Sequence, residues 1–306
     1  MKVFVTGVCG QLGHDVVNEL ALRGHEALSS DIQPEYSGVR DGSFAERAPY
    51  VQLDITDASA VREVLACAKP DAVIHCAAWT AVDAAEAPEN AEKVRAINAG
   101  GTQNIATACA ELDAKMTYLS TDYVFCGRGE EPWQPDCGDY EPLNFYGQTK
   151  LEGELAVSRT LKNFFIVRTA WVFGLNGSNF IKTMLKLGKT HETLRVVDDQ
   201  IGTPTYTLDL ARLLVDMNET EKFGYYHATN EGGFISWADF AEAIFKGAGM
   251  ATKVERVTTA EYGASKARRP FNSRLDKAKL SANGFKPLPT WQNALKRYLK
   301  AIGERA

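Results

Sequence analysis

The sequence has no uninterrupted apolar stretch near the roughly 18 residues of a membrane-spanning helix. Its start, Met1-Lys2-Val3-Phe4-Val5-Thr6-Gly7, lacks the long apolar core and small-residue cleavage site of a secretory signal, so a cytoplasmic protein is expected. Histidine is scarce: His14, His25, His75, His191 and His227 have no metal-ligand spacing with Cys, Asp or Glu, and no required metal is expected. No C-x-x-C pair occurs among Cys9, Cys67, Cys76, Cys109, Cys126 and Cys137. A chain of 306 residues builds a core without disulfide staples, which favours reduced thiols. There is no G-x-S-x-G and hence no sign of that serine nucleophile. Basic charge is in deficit, 34 Lys+Arg against 39 Asp+Glu, a net charge of −5. That argues against a nucleic-acid partner, which needs a basic field, and Lys296–Lys300 reads as a solvated helix face. Neither repeats nor low-complexity tracts are present.

What is present is ordinary globular composition, 45% hydrophobic and 24% charged, with a regular alternation of short β-rich runs and longer helical ones. Strands are expected at Lys2–Thr6, Glu26–Ser30, Tyr50–Leu53, Ala72–Cys76, Met116–Ser120 and Phe164–Arg168. Helices are expected at Gln11–Leu22, Asp57–Cys67, Glu89–Leu112 and Phe145–Arg159, with Gln33–Pro49 a loop. Strands alternating with helices mean βαβ units, right-handed crossovers and a doubly wound parallel sheet. Later regions are less regular, with helices at Asn179–Leu187, Thr207–Asn218 and Trp237–Lys246, a strand at Tyr225–Ala228, and loops at Asp198–Thr205 and Ser265–Leu275. The expected division is a dinucleotide-binding domain over 1–170, joined by about 206–230, and a smaller α/β substrate-binding domain over 171–205 and 231–306.

Gly7-Val8-Cys9-Gly10-Gln11-Leu12-Gly13 follows the first strand and opens a helix. Glycines there allow a tight turn, close approach of backbone to a pyrophosphate, and helix-to-sheet packing, while the helix N-terminus offers free N–H groups. Asp31, at the end of the second strand, stands where a carboxylate accepts hydrogen bonds from an adenosine ribose, which favours NADH. Arg40 and Arg47 in the next loop are placed to meet a 2′-phosphate, so the choice between NADH and NADPH stays open. Asp54-Ile55 ends the third strand, where an adenine edge fits; capping is an equal reading for Asp54.

Tyr146-Gly147-Gln148-Thr149-Lys150 sets a phenol and an ammonium one helical turn apart on one face. A ketone reduction needs a proton donor beside its hydride donor. The ammonium is expected to draw the phenol down from its ordinary pKa of about 10, so that it exchanges a proton near neutrality. Ser120-Thr121-Asp122 lies past the carboxyl end of a strand, where ligands bind in open α/β sheets.

This set resembles the extended short-chain dehydrogenase/reductases. Within them, Ser120-Thr121-Asp122-Tyr123-Val124-Phe125, Cys76-Ala77-Ala78-Trp79-Thr80-Ala81-Val82-Asp83 and Pro142-Leu143-Asn144-Phe145-Tyr146-Gly147 resemble segments of the dTDP-4-dehydrorhamnose reductases. Arg168-Thr169-Ala170-Trp171, Asn179-Phe180, Asp199-Gln200-Ile201-Gly202-Thr203-Pro204-Thr205 and Arg269-Pro270 fit as well. The resemblance implies a Rossmann-type fold and the reduction of the 4-keto group of dTDP-4-dehydro-L-rhamnose by NADPH or NADH. It implies Tyr146 as general acid, Lys150 lowering its pKa and holding the nicotinamide ribose, and Thr121 hydrogen-bonding the reacting oxygen. Asp122 is placed beside the sugar, and Ala77, Ala78 and Trp79 beside the cofactor. Trp171, Asn179, Gln200 and Arg269 are placed in the substrate site, Arg269 against the diphosphate. Some relatives use Mg²⁺ at a dimer contact near the position of Asp15, but the accompanying acidic set is not evident. A monomer or homodimer is expected. Cys126, after Phe125, and Arg268, beside Arg269, are the departures.

Two other readings stand beside this one. A nucleotide-sugar 4-epimerase shares the same residue types; a 4,6-dehydratase is disfavoured because Tyr123 replaces the second acid after Asp122. A non-catalytic regulatory subunit with this fold has no need of Thr121, Asp122, Tyr146 and Lys150 together.

Overall fold

The computed structural model describes residues 1–263 and 265–304; the last two positions of the expected second domain lie outside them. Seven strands form the central sheet: β1 (Lys2–Thr6), β2 (Glu26–Asp31), β3 (Tyr50–Gln52), β4 (Ala72–His75), β5 (Lys115–Thr121), β6 (Phe164–Thr169) and β7 (Gly224–His227). Their order is β7-β6-β5-β4-β1-β2-β3, and every neighbouring pair is parallel. This is the doubly wound Rossmann-type sheet expected. β1 pairs with both β2 and β4, so the strand order reverses beside it and opens a crevice at the strands' carboxyl ends.

The sheet is apolar on both faces because helices cover both. On one face Val3, Val5, Phe165 and Val167 pack against Val16 and Leu20 of α1 (Gln11–Leu22). On the other, Phe4, Val73, Met116 and Ile166 meet Leu65 of α2 (Ala58–Ala68), Ile105 of α3 (Thr102–Leu112) and Val157 of α4 (Phe145–Thr160). A third cluster joins α5 (Phe180–Gly188), α7 (Trp237–Ala248) and α8 (Trp291–Ala301) through Ile181, Phe240, Phe245, Trp291 and Tyr298. Between these helices in sequence, α6 (Thr207–Asn218) lays Leu210, Leu214 and Met217 into the core of β1 and α1.

Three local expectations are corrected. Glu89–Leu112 is not one helix: a 3₁₀ turn (Pro88–Asn90), an α turn (Ala91–Arg95) and a π segment (Ala96–Gly101) precede α3. The π turn rotates Asn98 inward, where its Oδ1 accepts the Trp79 N–H at 2.8 Å and its Nδ2 donates to Thr149 Oγ1 at 3.1 Å. The loop Gln33–Pro49 contains one helical turn, Phe44–Arg47, pinned by the Ala45 N–H on Asn18 Oδ1. The loop Asp198–Thr205 holds two-residue strands, and Thr193–Val197 pairs in parallel with Lys253–Val257.

Candidate active site

The crevice is a cavity of about 740 Å³. Its floor is the glycine turn. Gly7 has φ +72°, and a Cβ there would sit 2.6 Å from the Ala77 nitrogen. A Cβ on Gly13 would sit 2.3 Å from the Gly7 carbonyl oxygen, so the turn folds against the helix with no room for a side chain. A Cβ on Gly10 meets only the Gly7 oxygen, at 3.1 Å. α1 then opens at Gly10 with no side-chain cap and no acid in its first turn. Such an N-terminus, facing a cavity, suits a pyrophosphate.

Gln11 lines the cavity, but its side chain is committed elsewhere: Oε1 accepts the Gly174 N–H at 2.8 Å and Asn179 Nδ2 at 3.0 Å. Asn176 reaches the same turn, its Nδ2 donating to the Cys9 and Gly10 carbonyls at 3.4 and 3.3 Å. Leu12, Asp31, Asp54 and Ile55 also line the cavity. Asp31 Oδ2 accepts the Cys9 N–H at 3.0 Å, which fixes the carboxylate beside the turn. Asp54 Oδ1 accepts from the Thr56 N–H and hydroxyl at 2.9 and 2.7 Å, so the structure gives it a local turn role in addition to its place on the wall. His75 is the hydrogen-bonded core residue expected of an apolar strand, 2.7 Å from Thr6 Oγ1 and held neutral by burial, its pKa down at about 3.

At the carboxyl end of β5, Thr121 donates to Asp122 Oδ1 at 3.0 Å and accepts the Tyr123 N–H at 3.2 Å. Its side chain and the Tyr146 phenol line the same cavity. Asn144 caps α4 by accepting the Gly147 N–H, which starts the helix so that Tyr146 and Lys150 share its inner face. Lys150 is buried; its Nζ donates to the Leu119 carbonyl at 2.6 Å and lies 4.1 Å from the centre of the Tyr118 ring.

The electrostatics depart from expectation at the phenol. Burial and the Asp122 charge push Tyr146 above its ordinary value, and the neighbouring Thr121 hydroxyl offsets this only in part. Burial also draws Lys150 down to about 7, against the opposing pull of Glu154. Lys150 is aimed at a backbone carbonyl, so desolvation decides the state of the phenol. Asp122 is likewise buried and raised to about 6, with Oδ2 lacking a hydrogen-bond partner among the described residues.

Ala77, Ala78, Trp171 and Arg269 complete the expected wall. Trp171 has φ +51°, a left-handed conformation that costs a bulky residue about 1–2 kcal/mol. Its ring lies on Trp237, centroids 3.7 Å apart and planes 14° from parallel. Arg269 turns inward while Arg268 is exposed. Three expected residues stand off the wall. Trp79 donates its ring N–H to the Ala81 carbonyl at 3.1 Å, Asn179 caps α5, and Gln200 donates to Thr259 Oγ1 at 3.0 Å.

Sequence reasoning missed Tyr123, Phe180, Trp237 and Phe240, all on the wall. The one local signal at Trp237 was the Ser236–Asp239 capping box, which marks a helix start and says nothing of a ligand. Asp15 is occupied by the Thr207 hydroxyl and raised by burial to about 7. Among the described residues no three His, Cys, Asp or Glu are grouped to hold a metal, the six cysteines are free, and no helix is long and apolar enough to cross a membrane.

The family model "RmlD substrate binding domain" matches residues 1–303. A dTDP-4-dehydrorhamnose reductase from Streptomyces griseus is 42% identical over 308 residues, covering 99% of this chain and 94% of that protein. The crystal structure of such a reductase from Clostridium acetobutylicum superposes with a TM-score of 0.89 at 39% identity, covering 99% of this chain and 100% of the other. One from Bacillus anthracis, in complex with NADP, gives 0.88 at 37% identity, covering 98% and 99%. The fold thus has full-length counterparts, and the chain belongs to the dTDP-4-dehydrorhamnose reductase family of the extended short-chain dehydrogenase/reductases.

Proposed function

We propose that this chain reduces the 4-keto group of dTDP-4-dehydro-L-rhamnose to the alcohol of dTDP-L-rhamnose, with NADPH or NADH as cofactor and Tyr146 as general acid. The observation that carries this reading is that Thr121, Tyr146 and the uncapped start of α1 line one cavity. The bound dihydronicotinamide supplies the hydride. Gly7, Gly10 and Gly13, with the Gln11 and Leu12 amides, receive its pyrophosphate, and Asp31 receives the adenosine ribose.

Reduction calls for a phenol that still carries its proton. The raised pKa of Tyr146 keeps it protonated throughout the neutral range, so it can deliver that proton to O4. Thr121 turns its hydroxyl from Asp122 to the sugar oxygen. Lys150, packed one turn below, fixes the phenol's setting and meets the nicotinamide ribose. Arg269, whose fork is held by Asp83, offers its charge and remaining N–H donors to the diphosphate, and Trp171 an apolar face to the substrate. NADH suits the Asp31 carboxylate, and the NADP complex of the Bacillus anthracis relative supports NADPH.

The test is direct. Incubate the protein with dTDP-4-dehydro-L-rhamnose and each reduced cofactor, and follow the dihydronicotinamide absorbance. One equivalent oxidised per sugar is expected. No oxidation with either cofactor sinks the reading, and sugar inversion without net oxidation replaces it with epimerisation.

A further inference from the structure

α4 carries a third inward group in line with Tyr146 and Lys150. Glu154 lies one turn beyond the lysine on the same stripe and is buried. Arg168 of β6, fully buried, grips it with a two-pronged fork: Nε to Oε1 at 2.8 Å and Nη2 to Oε2 at 2.7 Å. Arg168 is itself fixed. Its Nη1 donates to the Pro135 carbonyl at 3.0 Å and its Nη2 to the Tyr140 hydroxyl at 2.8 Å, and Nη1 stands 3.3 Å from His227 Nε2. The residues that follow it in sequence, Thr169, Ala170 and Trp171, line the cavity.

The surroundings of Lys150 supply little other charge. From β4 comes His75, held neutral, and from just past its end the Cys76 thiol, pushed by burial up to about 12. From β5 come the Tyr118 ring and the Leu119 carbonyl, and from α4 the Tyr146 phenol. Glu154 is the carboxylate that opposes the desolvation of the lysine. An ion pair as dry as Glu154–Arg168 adds little net stability over an apolar pair of the same volume. What it does supply is a fixed negative charge one turn from the ammonium.

We propose that Glu154, clamped by Arg168, is a positioning residue of this site: its carboxylate keeps Lys150 charged and seated on the Leu119 carbonyl beneath Tyr146. The inference rests on the reading of Lys150 given above. Removing the carboxylate takes away the charge that opposes burial, so the lysine, which titrates at about 7 in the parent, loses its proton below neutral pH.

The experiment reads the lysine itself, without substrate or cofactor. Lysines labelled with ¹³C at Cε are titrated by NMR, and Lys150→Met identifies the resonance. In Glu154→Gln the Lys150 midpoint is expected to fall by about one pH unit or more, with Glu154→Asp restoring most of the difference. Glu154→Gln strands a buried guanidinium, so the double variant Glu154→Leu with Arg168→Met, which removes both charges at similar volume, is titrated in parallel and is expected to show the same fall. An unmoved midpoint in whichever variant folds overturns the proposal. In turnover, the alkaline limb of kcat is expected to shift down by the same interval, while the rate measured a full pH unit or more below the shifted midpoint stays close to that of the parent. A uniformly lower kcat with an unshifted limb marks a purely structural role and also overturns it. Because the titration needs no turnover, it stands or falls separately from the assignment of the reaction.

Discussion

Arg269 holds Asp83 with two nitrogens, Nη1 to Oδ1 at 3.1 Å and Nη2 to Oδ2 at 2.7 Å, and the same Oδ1 accepts the Lys266 and Ala267 N–H groups at 3.1 and 3.0 Å. One carboxylate thereby ties the cavity's arginine and the chain segment before it to the start of the short helix Val82–Ala85. The Arg269 hydrogen bond holds the Asp83 carboxyl below the usual range. The pair is partly exposed, so its net worth is at most about 1 kcal/mol. Asp83→Ala, which removes both acceptor oxygens, is therefore expected to leave thermal stability nearly unchanged but to speed hydrogen exchange at Lys266 and Ala267 by about tenfold or more. Exchange mass spectrometry of that segment checks it; unchanged protection there contradicts the anchoring role.

The glycines of the first turn separate into two kinds. At Gly13 a methyl meets backbone at 2.3 Å, which nothing flexible can relieve, whereas at Gly10 it meets one oxygen at 3.1 Å and otherwise opens to the cavity. Gly13→Ala is expected to cost about 3 kcal/mol or more, or to prevent folding. Gly10→Ala is expected to stay within about 1 kcal/mol of the parent while its dinucleotide Kd rises about tenfold, because the methyl occupies the approach of the pyrophosphate. Urea denaturation and a fluorescence titration measure the two. Equal stability losses at both positions are the contrary result.

Tyr146 is the group whose loss separates chemistry from binding. Tyr146→Phe retains the ring that meets Tyr123 edge-on, centroids 5.8 Å apart, and removes only the hydroxyl. Turnover is expected to fall about 10²- to 10⁴-fold, with the cofactor Kd changed less than about threefold. Stopped-flow turnover beside equilibrium titration decides it. A phenylalanine variant as fast as the parent removes Tyr146 from the proton-transfer role.

Much of this was legible in the chain because it depends on local rules. β1, the glycine turn and α1 follow from an apolar run, a spacing of glycines and a 3.6-residue period. Thr121, Tyr146 and Lys150 converge because strand ends and one helix face are positions a sequence specifies. What was not legible depends on partners far along the chain. Ala96–Gly101 reads as ordinary helix, and its π turn is driven by Asn98 reaching Trp79 and Thr149. Trp237 joins the site because Trp171 adopts a left-handed backbone and lies on it. The raised pKa of Tyr146 is a consequence of burial, a quantity that the spacing of a phenol and an ammonium does not contain.

Asp122 makes the stability of this protein pH-dependent with an unusual sign. Its carboxyl titrates at about 6 in the folded chain against 3.8 when free, so between these values the folded state binds the extra proton and stability falls as pH rises. Below the lower value both states are protonated and nothing is gained; above the upper one the full penalty persists, about 3 kcal/mol. Asp122→Asn carries no charge to bury. It keeps an acceptor for the Thr121 hydroxyl, and the remaining atom had no partner in the parent. The stability difference between variant and parent is therefore expected to grow in the variant's favour from about pH 4 to pH 7 and then level off, while turnover drops because Thr121 loses a charged neighbour. Urea denaturation across that interval gives the difference curve. A flat curve means that the carboxylate is solvated or paired at neutral pH and carries no burial penalty.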